Sequence, residues 1–262
     1  MKKLLFREER LRMIMETIYE QRNVVVNELA EKFGKSASSI RLDLAELESR
    51  GLISRTHGGA ILADESTEDF VLNKKYLQIR AETYREEKQR IGKVAADLVQ
   101  DGDSVMIDGG STNYFVAKYL QKKRGLTIIT ISTFLFPILW EILDAKIYLC
   151  GGLVHREFED TYGDIAMESI NKFKPDHTII GMDGISCEHG LTTTEPIMAM
   201  LKRQMISVSK DLIVVSDSSK FGKVCVLSVA DITAAKTIVT DNKVSLDLVR
   251  KIEQRGPTVL VA

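Results

Sequence analysis

The chain has 262 residues, long for one domain and comfortable for two. Hydrophobic residues make up 44% and charged residues 28%, an ordinary globular composition, and no apolar run is long enough to span a membrane. Lys and Arg number 36 against 37 Asp and Glu. Bulk charge therefore does not mark a nucleic-acid binder, and such a reading must come from a motif and the placement of its charges. The three cysteines (Cys150, Cys187, Cys225) are scattered and form no Cys-x-x-Cys pair. This speaks for reduced thiols in a cytoplasmic protein, against a disulfide framework or structural zinc. The start, Met1-Lys2-Lys3-Leu4-Leu5-Phe6, turns charged too soon for a signal peptide.

In chain order, Leu11, Ile14, Met15 and Ile18 give one apolar face to a first helix. The β-branched run Val24-Val25-Val26 follows. Asn27 can cap a second helix, Glu28 to Phe33, which Gly34 can end. Ser36 can cap a third helix carrying Ile40, Leu44 and Leu47 and stopping at Gly51. Two short helices joined by a tight glycine-containing turn place a reading helix in the major groove of DNA. Leu52 to Ala60, with Gly58-Gly59 permitting a tight turn, then reads as a wing, or as an ordinary hairpin before a linker.

With about 100° per residue and Ile40 at 0°, Ile40, Leu44 and Leu47 define the buried side of the third helix. Ser38, Arg41, Leu42, Ala45 and Ser49 then face away from the core. Arg41 suits a guanine or a phosphate, the serines either; Leu42 suits a thymine methyl, or equally packing on the wing or a partner. In the wing, Arg55 and His57 are free to reach phosphates. The candidate DNA contacts are Lys35, Ser36, Ser38, Ser39, Arg41, Leu42, Ala45, Arg55, His57 and Gly58. Within residues 1–62 the net charge is only +2, with Lys2, Lys3, Arg7, Arg10 and Arg12 clustered at the start.

Residues 1–62 thus read as a winged helix-turn-helix domain, 63–75 as a polar, acidic linker, and 76–262 as a second domain. In that second domain helices and strands alternate. Ile91, Val94, Ala95 and Leu98 mark a helix ending near Gly102. Strands are expected at Ser104–Asp108, Leu126–Ile131, Lys146–Cys150, His177–Met182, Leu212–Ser216, Lys236–Thr240 and Thr258–Val261. Helices are expected at Thr112–Leu120, Phe134–Leu143, Pro196–Ser207 and Leu246–Gln254. The fold class is α/β, with a C-terminal Rossmann-like, mainly parallel sheet whose ligands bind at the carboxyl ends of the strands.

Those strand ends carry the chemistry. Asp108 ends a strand and Gly109-Gly110-Ser111-Thr112 opens a helix, where free N–H groups suit an anion; the same residues also make a plain strand-to-helix turn. Lys220, after another strand end, suits a phosphoryl oxygen or is a solvated loop lysine. Asp183 could accept hydrogen bonds from sugar hydroxyls or hold Lys220, and Gly151-Gly152 allows close approach on the same rim. His177 and His189 read as core or loop residues, Cys187-x-His189 is too weak for a metal site, and Met198, Met200 and Met205 read as helix packing. No cofactor or metal is expected.

Glu28-Leu29-Ala30, Ser36, Ile40-Arg41, Asp43-Leu44, Leu47-Glu48, Gly51-Leu52-Ile53 and Arg55-x-His57-Gly58-Gly59-Ala60 resemble the DeoR family of bacterial transcription regulators. The resemblance covers essentially the whole chain. It extends through Asp108-Gly109-Gly110-Ser111-Thr112, Gly151-Gly152, Asp183-Gly184-Ile185, Gly190-Leu191-Thr192, Lys202-Arg203, Asp217-Ser218-Ser219-Lys220-Phe221-Gly222 and Thr240-Asp241. It implies a sensor domain related to ribose-5-phosphate isomerase and CoA-transferase-like folds. It also implies double-stranded operator DNA and a phosphorylated sugar or related metabolite as partners, and a homo-oligomer, dimer or tetramer. Two departures stand out. Leu42 replaces the second of two arginines usual in the reading helix, and Thr130-Ile131-Ser132 replaces a Thr-Asn pair near the pocket. Thr130, Ser132 and Arg80 join the expected effector site through this resemblance; Arg80 and Lys88 could reach the pocket or be surface ion-pair residues.

Two functions of different class follow. One is a DNA-binding regulator, acting as a repressor of carbohydrate-metabolism genes and released by a phosphorylated sugar, without enzymatic activity. The alternative is an active sugar-phosphate isomerase carrying a DNA module, with Asp108, Asp183 and Glu195 as acid–base candidates. A constitutive DNA-binding scaffold is a third idea, against which the polar strand ends argue.

Overall fold

The computed structural model describes residues 7–21, 23–49, 52–62, 77 and 80–262. The chain divides into two compact units, Met1–Thr83 and Tyr84–Ala262. The expected linker 63–75, the stop at Gly51 and the basic residues Lys2 and Lys3 lie outside the described residues.

The N-terminal unit contains α1 (Arg7–Gln21), β1 (Asn23–Val25), α2 (Val26–Phe33), α3 (Ala37–Ser49), β2 (Ile53–Thr56) and β3 (Gly59–Leu62). Leu11, Ile14, Met15 and Ile18 of α1 are buried, as are Leu29 of α2 and Ile40, Leu44 and Leu47 of α3. Helical spacing of apolar residues thus builds this core. The α2–α3 turn follows from Gly34, whose φ of 60° lets its N–H bond back to Ala30 and Glu31. Ser36 caps α3, its Oγ accepting from the Ser39 N–H at 3.2 Å. The three strands form an antiparallel sheet in the order β1-β3-β2. Gly59 is required in it, because a Cβ there would overlap the Val24 carbonyl oxygen. The expected Asn27 cap is not formed. Helix α2 begins at Val26 with Val25 extended before it, and the Val26 N–H is satisfied instead by the Gly58 carbonyl of the wing at 2.8 Å.

The C-terminal unit is built on a seven-stranded parallel sheet of order β15-β14-β12-β9-β4-β5-β6. Its strands are β4 (Ser104–Ile107), β5 (Thr127–Thr130), β6 (Lys146–Leu149), β9 (His177–Gly181), β12 (Asp211–Val215), β14 (Thr237–Thr240) and β15 (Thr258–Val261). Alternate strand residues feed two cores. Val105, Ile107, Ile128, Ile179, Ile213 and Val239 pack with Ile91 and Ala95 of α4 (Arg85–Asp97) and Val116 and Leu120 of α5 (Ser111–Leu120). Met106, Ile129, Ile180, Val214 and Ile238 pack with Ile170 of α7 (Asp164–Asn171), Leu201 and Met205 of α8 (Pro196–Val208) and Ile252 of α9 (Leu246–Glu253). Helices thus cover both faces, as near-continuous Ile/Val strands require.

Several boundaries differ from expectation. The helix expected over Phe134–Leu143 is the single turn α6 (Phe136–Leu139), and the strands expected to end at Asp108, Ile131, Cys150, Met182 and Ser216 stop one residue earlier. At Asp108, Cys150 and Ser216 the N–H still bonds a carbonyl of the neighbouring strand, Ile179, Thr130 and Val239 in turn, and the chain turns toward the rim after it. The hairpin β7 (Leu153–His155) with β8 (Asp160–Tyr162), and the small sheet of β10 (Gly184–Ser186), β11 (Gly190–Thr193) and β13 (Leu227–Ala230), have no counterpart among the expected elements. These strands are three or four residues long and carry no apolar run for periodicity to reveal.

Candidate functional site

In the N-terminal unit the outward face of α3 is available for contact. Ser38, Arg41, Leu42 and Ser49 are exposed and Ala45 is half-buried, Leu42 at 66% of its surface. Asp43, also on α3, points inward and is held by Arg10, Nε to Oδ2 at 2.6 Å and Nη2 to Oδ1 at 3.0 Å. Arg10 is therefore a structural residue of this unit and not part of a basic DNA-facing cluster; Arg7 joins it, 3.4 Å from Asp43 Oδ1. Lys35 and Ser39 are half-buried, and Ser36, His57 and Gly58 are exposed. Arg55 departs from the expected free wing arginine. Its Nε donates to Glu48 Oε2 at 2.6 Å and its backbone N–H to Oε1 at 3.0 Å, fixing the wing to the end of α3. These two bonds hold the Glu48 carboxyl below its ordinary pKa.

In the C-terminal unit the parallel sheet brings Asp108 (after β4), Thr130 (end of β5), Gly151-Gly152 (after β6), Asp183 (after β9) and Lys220 (after β12) to one edge. The α5 N-terminus rises from it. Gly110 adopts φ 101°, and a Cβ placed there would meet no atom within 4 Å, so the rim is open. Ser111 is buried and Thr112 half-buried. Asn113 Nδ2 donates to the Asp108 and Gly109 carbonyls at 2.9 and 3.0 Å and fixes the loop from beneath.

Some expected contact groups are spent within the fold. The Thr130 hydroxyl donates to the Ile107 carbonyl at 2.9 Å and accepts from the Ser132 N–H at 3.0 Å. Asp183 Oδ2 accepts from the Thr193 hydroxyl at 2.5 Å. Gly151 and Gly152 are exposed beyond the edge strand β6. Arg80 falls in the N-terminal unit and is half-buried.

The structure adds residues to this edge. Lys88 is buried, not a surface ion-pair residue, and so are Lys220 and Asp217. Burial works to raise the Asp217 pKa, but the charges of Lys88 and Lys220 and the Ser219 hydrogen bonds outweigh it and hold the carboxyl below its ordinary range. Asp241, after β14, accepts from the Ser218 N–H at 2.7 Å and the Lys243 N–H at 2.9 Å, anchoring the loop that carries Lys220. Lys202 of α8 donates to Asp108 Oδ2 and, at 2.8 Å, to the Gly181 carbonyl. A sequence signal existed for both lysines. Lys88 opens the stripe Lys88, Ile91, Gly92, Ala95, and Lys202 lies four residues after Met198 and three before Met205, so each interrupts a buried helical face. Asp160 of β8, whose carboxyl lies against the Gly109 backbone, gave no such signal.

Among the described residues no group of His, Cys, Asp and Glu is arranged to hold a metal ion, and no helix is long and apolar enough to cross a membrane. All three cysteines are free.

Comparison with known proteins agrees with this division of labour. The DeoR-like helix-turn-helix domain matches residues 10–66 and the DeoR C terminal sensor domain residues 83–242. The chain is similar to the HTH-type transcriptional repressor GlcR of Bacillus subtilis (strain 168), with 31% identity covering 98% of this chain and 97% of that protein. It is also similar to the glycerol-3-phosphate regulon repressor of Escherichia coli (strain K12), with 32% identity covering 87% and 88%. Among solved structures, ribose 5 phosphate isomerase A from Neisseria gonorrhoeae aligns over 51% of this chain and 52% of its own, at 17% identity and a TM-score of 0.38. With a reading-helix unit at one end, a strand-edge rim at the other and both family domains matched in that order, the chain belongs to the DeoR family of transcription regulators.

Proposed function

We propose that this chain is a sequence-specific repressor of carbohydrate-metabolism genes, released from operator DNA by a phosphorylated sugar. The observation that carries the DNA half is the outward face of α3. Ile40, Leu44 and Leu47 anchor the helix, while Ser38, Arg41 and Leu42 stand exposed beside a wing braced by Arg55 and Glu48. In the sensor half, the phosphoryl group is bound at the α5 N-terminus, Gly110 to Thr112, and by the paired ammonium groups of Lys88 and Lys220. The rim polar groups receive the hydroxyls. The regulon named for the E. coli relative is that of a phosphorylated polyol, which favours this ligand class. The chain acts as a dimer or tetramer on paired half-sites. Two of the three acid–base candidates of the isomerase alternative, Asp108 and Asp183, are engaged by Lys202 and Thr193, which favours binding over turnover.

The test is a gel-shift titration on DNA upstream of this gene and its neighbours, with a panel of sugar phosphates and their unphosphorylated parents. Release by a phosphorylated member alone is the expected result. Retardation indifferent to every compound removes the sensor half, and no retardation removes the DNA half.

A further inference from the structure

Asp108, Asp160 and Lys202 meet at Gly109, just below the open Gly110 rim. They retain 0%, 2% and 6% of their surface. Lys202 pairs with Asp108 through Oδ2. Asp160 reaches the same place from β8, bridged to Ser132 in the backbone and hydrogen-bonded by its side chain. Its carboxyl lies against the Gly109 backbone so closely that a Cβ there would collide with both carboxyl oxygens. Oδ1 of Asp108 and Oδ1 of Asp160 are both buried and have no hydrogen-bond partner.

Two carboxyl groups face one ammonium here, out of water. Leaving both ionised strands one negative charge and two acceptor oxygens without donors, which is costly in a buried place. One proton on Asp160 removes the excess charge and supplies the missing donor. We propose that Asp160 serves as a neutral carboxyl donating to Asp108, and that this keeps the α5 N-terminus open to an anionic group, which ionisation of Asp160 expels.

This rests on the reading of the α5 N-terminus as the effector's anion site. With the proton in place, Asp108 and Lys202 cancel, and an anion at Gly110–Thr112 meets helix N–H groups over a neutral floor. Without it, a full negative charge sits under Gly109. The charged groups facing Asp160 are Asp108 from the end of β4, Lys202 from α8 and Glu159 beside it. Burial and the Asp108 charge, then Glu159, raise its pKa to about 8, against the Ser132 hydrogen bond and Lys202. The transition therefore falls just above neutrality. Asp160 thus sets which charge state of the site accepts ligand.

The experiment measures sulfate binding to the full chain from neutral to alkaline pH, since the charge of sulfate does not change there. For the wild type, affinity is expected to fall about tenfold per pH unit above about pH 8, the slope of one linked proton. Asp160→Asn, neutral at every pH, is expected to bind with no such fall. Sulfate binding by the wild type with a flat profile, or a fall retained in Asp160→Asn, overturns the proposal while leaving the anion site in place. Absence of sulfate binding at any pH overturns the anion site itself. The protonation of Asp160 is then judged without ligand. Wild-type stability is expected to decline relative to Asp160→Asn as pH rises from about 4 to about 8, because only the native state holds that proton. Parallel pH profiles overturn it. Should Asp160→Asn fail to fold, Asp160→Ser serves in both arms.

Discussion

Arg10 of α1 grips Asp43 of α3 through two parallel hydrogen bonds, Nε to Oδ2 at 2.6 Å and Nη2 to Oδ1 at 3.0 Å, with both side chains buried. This pair sets the angle at which α3 presents Ser38, Arg41 and Leu42. Removing Arg10 leaves the buried Asp43 carboxylate with only the longer contact from the exposed Arg7, at a cost of up to about 3–5 kcal/mol. Arg10→Ala is therefore expected to lower the urea midpoint sharply and to abolish operator retardation, although Arg10 is buried within the unit. Full operator binding by a stable Arg10→Ala protein would contradict this role. Arg10→Lys keeps the charge but loses the bidentate fork, and falls between.

On the proposed DNA-facing reading of α3, a change at Leu42 is expected to separate folding from recognition. It is 66% exposed on α3, so Leu42→Ala is expected to change stability by no more than about 0.5 kcal/mol. Operator affinity is expected to drop about tenfold, or about 1.4 kcal/mol. Denaturation curves and gel-shift titrations on one preparation check both halves.

Gly59 tests the seat of the wing. A Cβ at this position would overlap the Val24 carbonyl oxygen, whereas one at the neighbouring Gly58 would meet no atom within 4 Å. Gly59→Ala is expected to cost about 1–3 kcal/mol by overpacking, and Gly58→Ala to lie within about 0.5 kcal/mol of the wild type. Equal midpoints for the two variants would remove the argument.

Lys220→Ala is expected to keep operator binding and lose release by the effector, because the residue lies in the C-terminal unit, in the turn Ser218–Lys220 that follows β12. Gel shifts with and without the releasing sugar phosphate read both. A variant that folds and no longer binds operator would break the assignment of Lys220 to the sensor.

Asp217 supplies the acid-side prediction. Its folded pKa is held below the ordinary value by Lys88 and Lys220 against the opposing effect of burial. Its contribution to stability is therefore present above the unfolded carboxylate pKa of about 3.9 and lost as pH falls through the folded value. Between neutral pH and about pH 5 the wild type should hold a constant margin over Asp217→Asn, and the margin should narrow in stronger acid. Thermal melts across that range measure it.

The sequence by itself determined the N-terminal helices, the strands of the parallel sheet and the family. Period-3.6 apolar faces located the helices of the N-terminal unit, and Gly34 and Ser36 marked the turn between α2 and α3. Ile/Val runs located the parallel strands, and glycine, hydroxyl and charged residues at their ends marked the rim. These signals are local, set by which residues fit a helix face, a buried strand or a tight turn. What only the tertiary structure decided is which charges meet. Lys202 and Asp108 are 94 residues apart, Arg10 and Asp43 are 33 apart, and Asp160 reaches Gly109 from a three-residue strand without hydrophobic periodicity. Such pairs form because a buried charge has to find a partner or a proton wherever the packing of distant elements places one, and spacing along the chain does not encode that meeting.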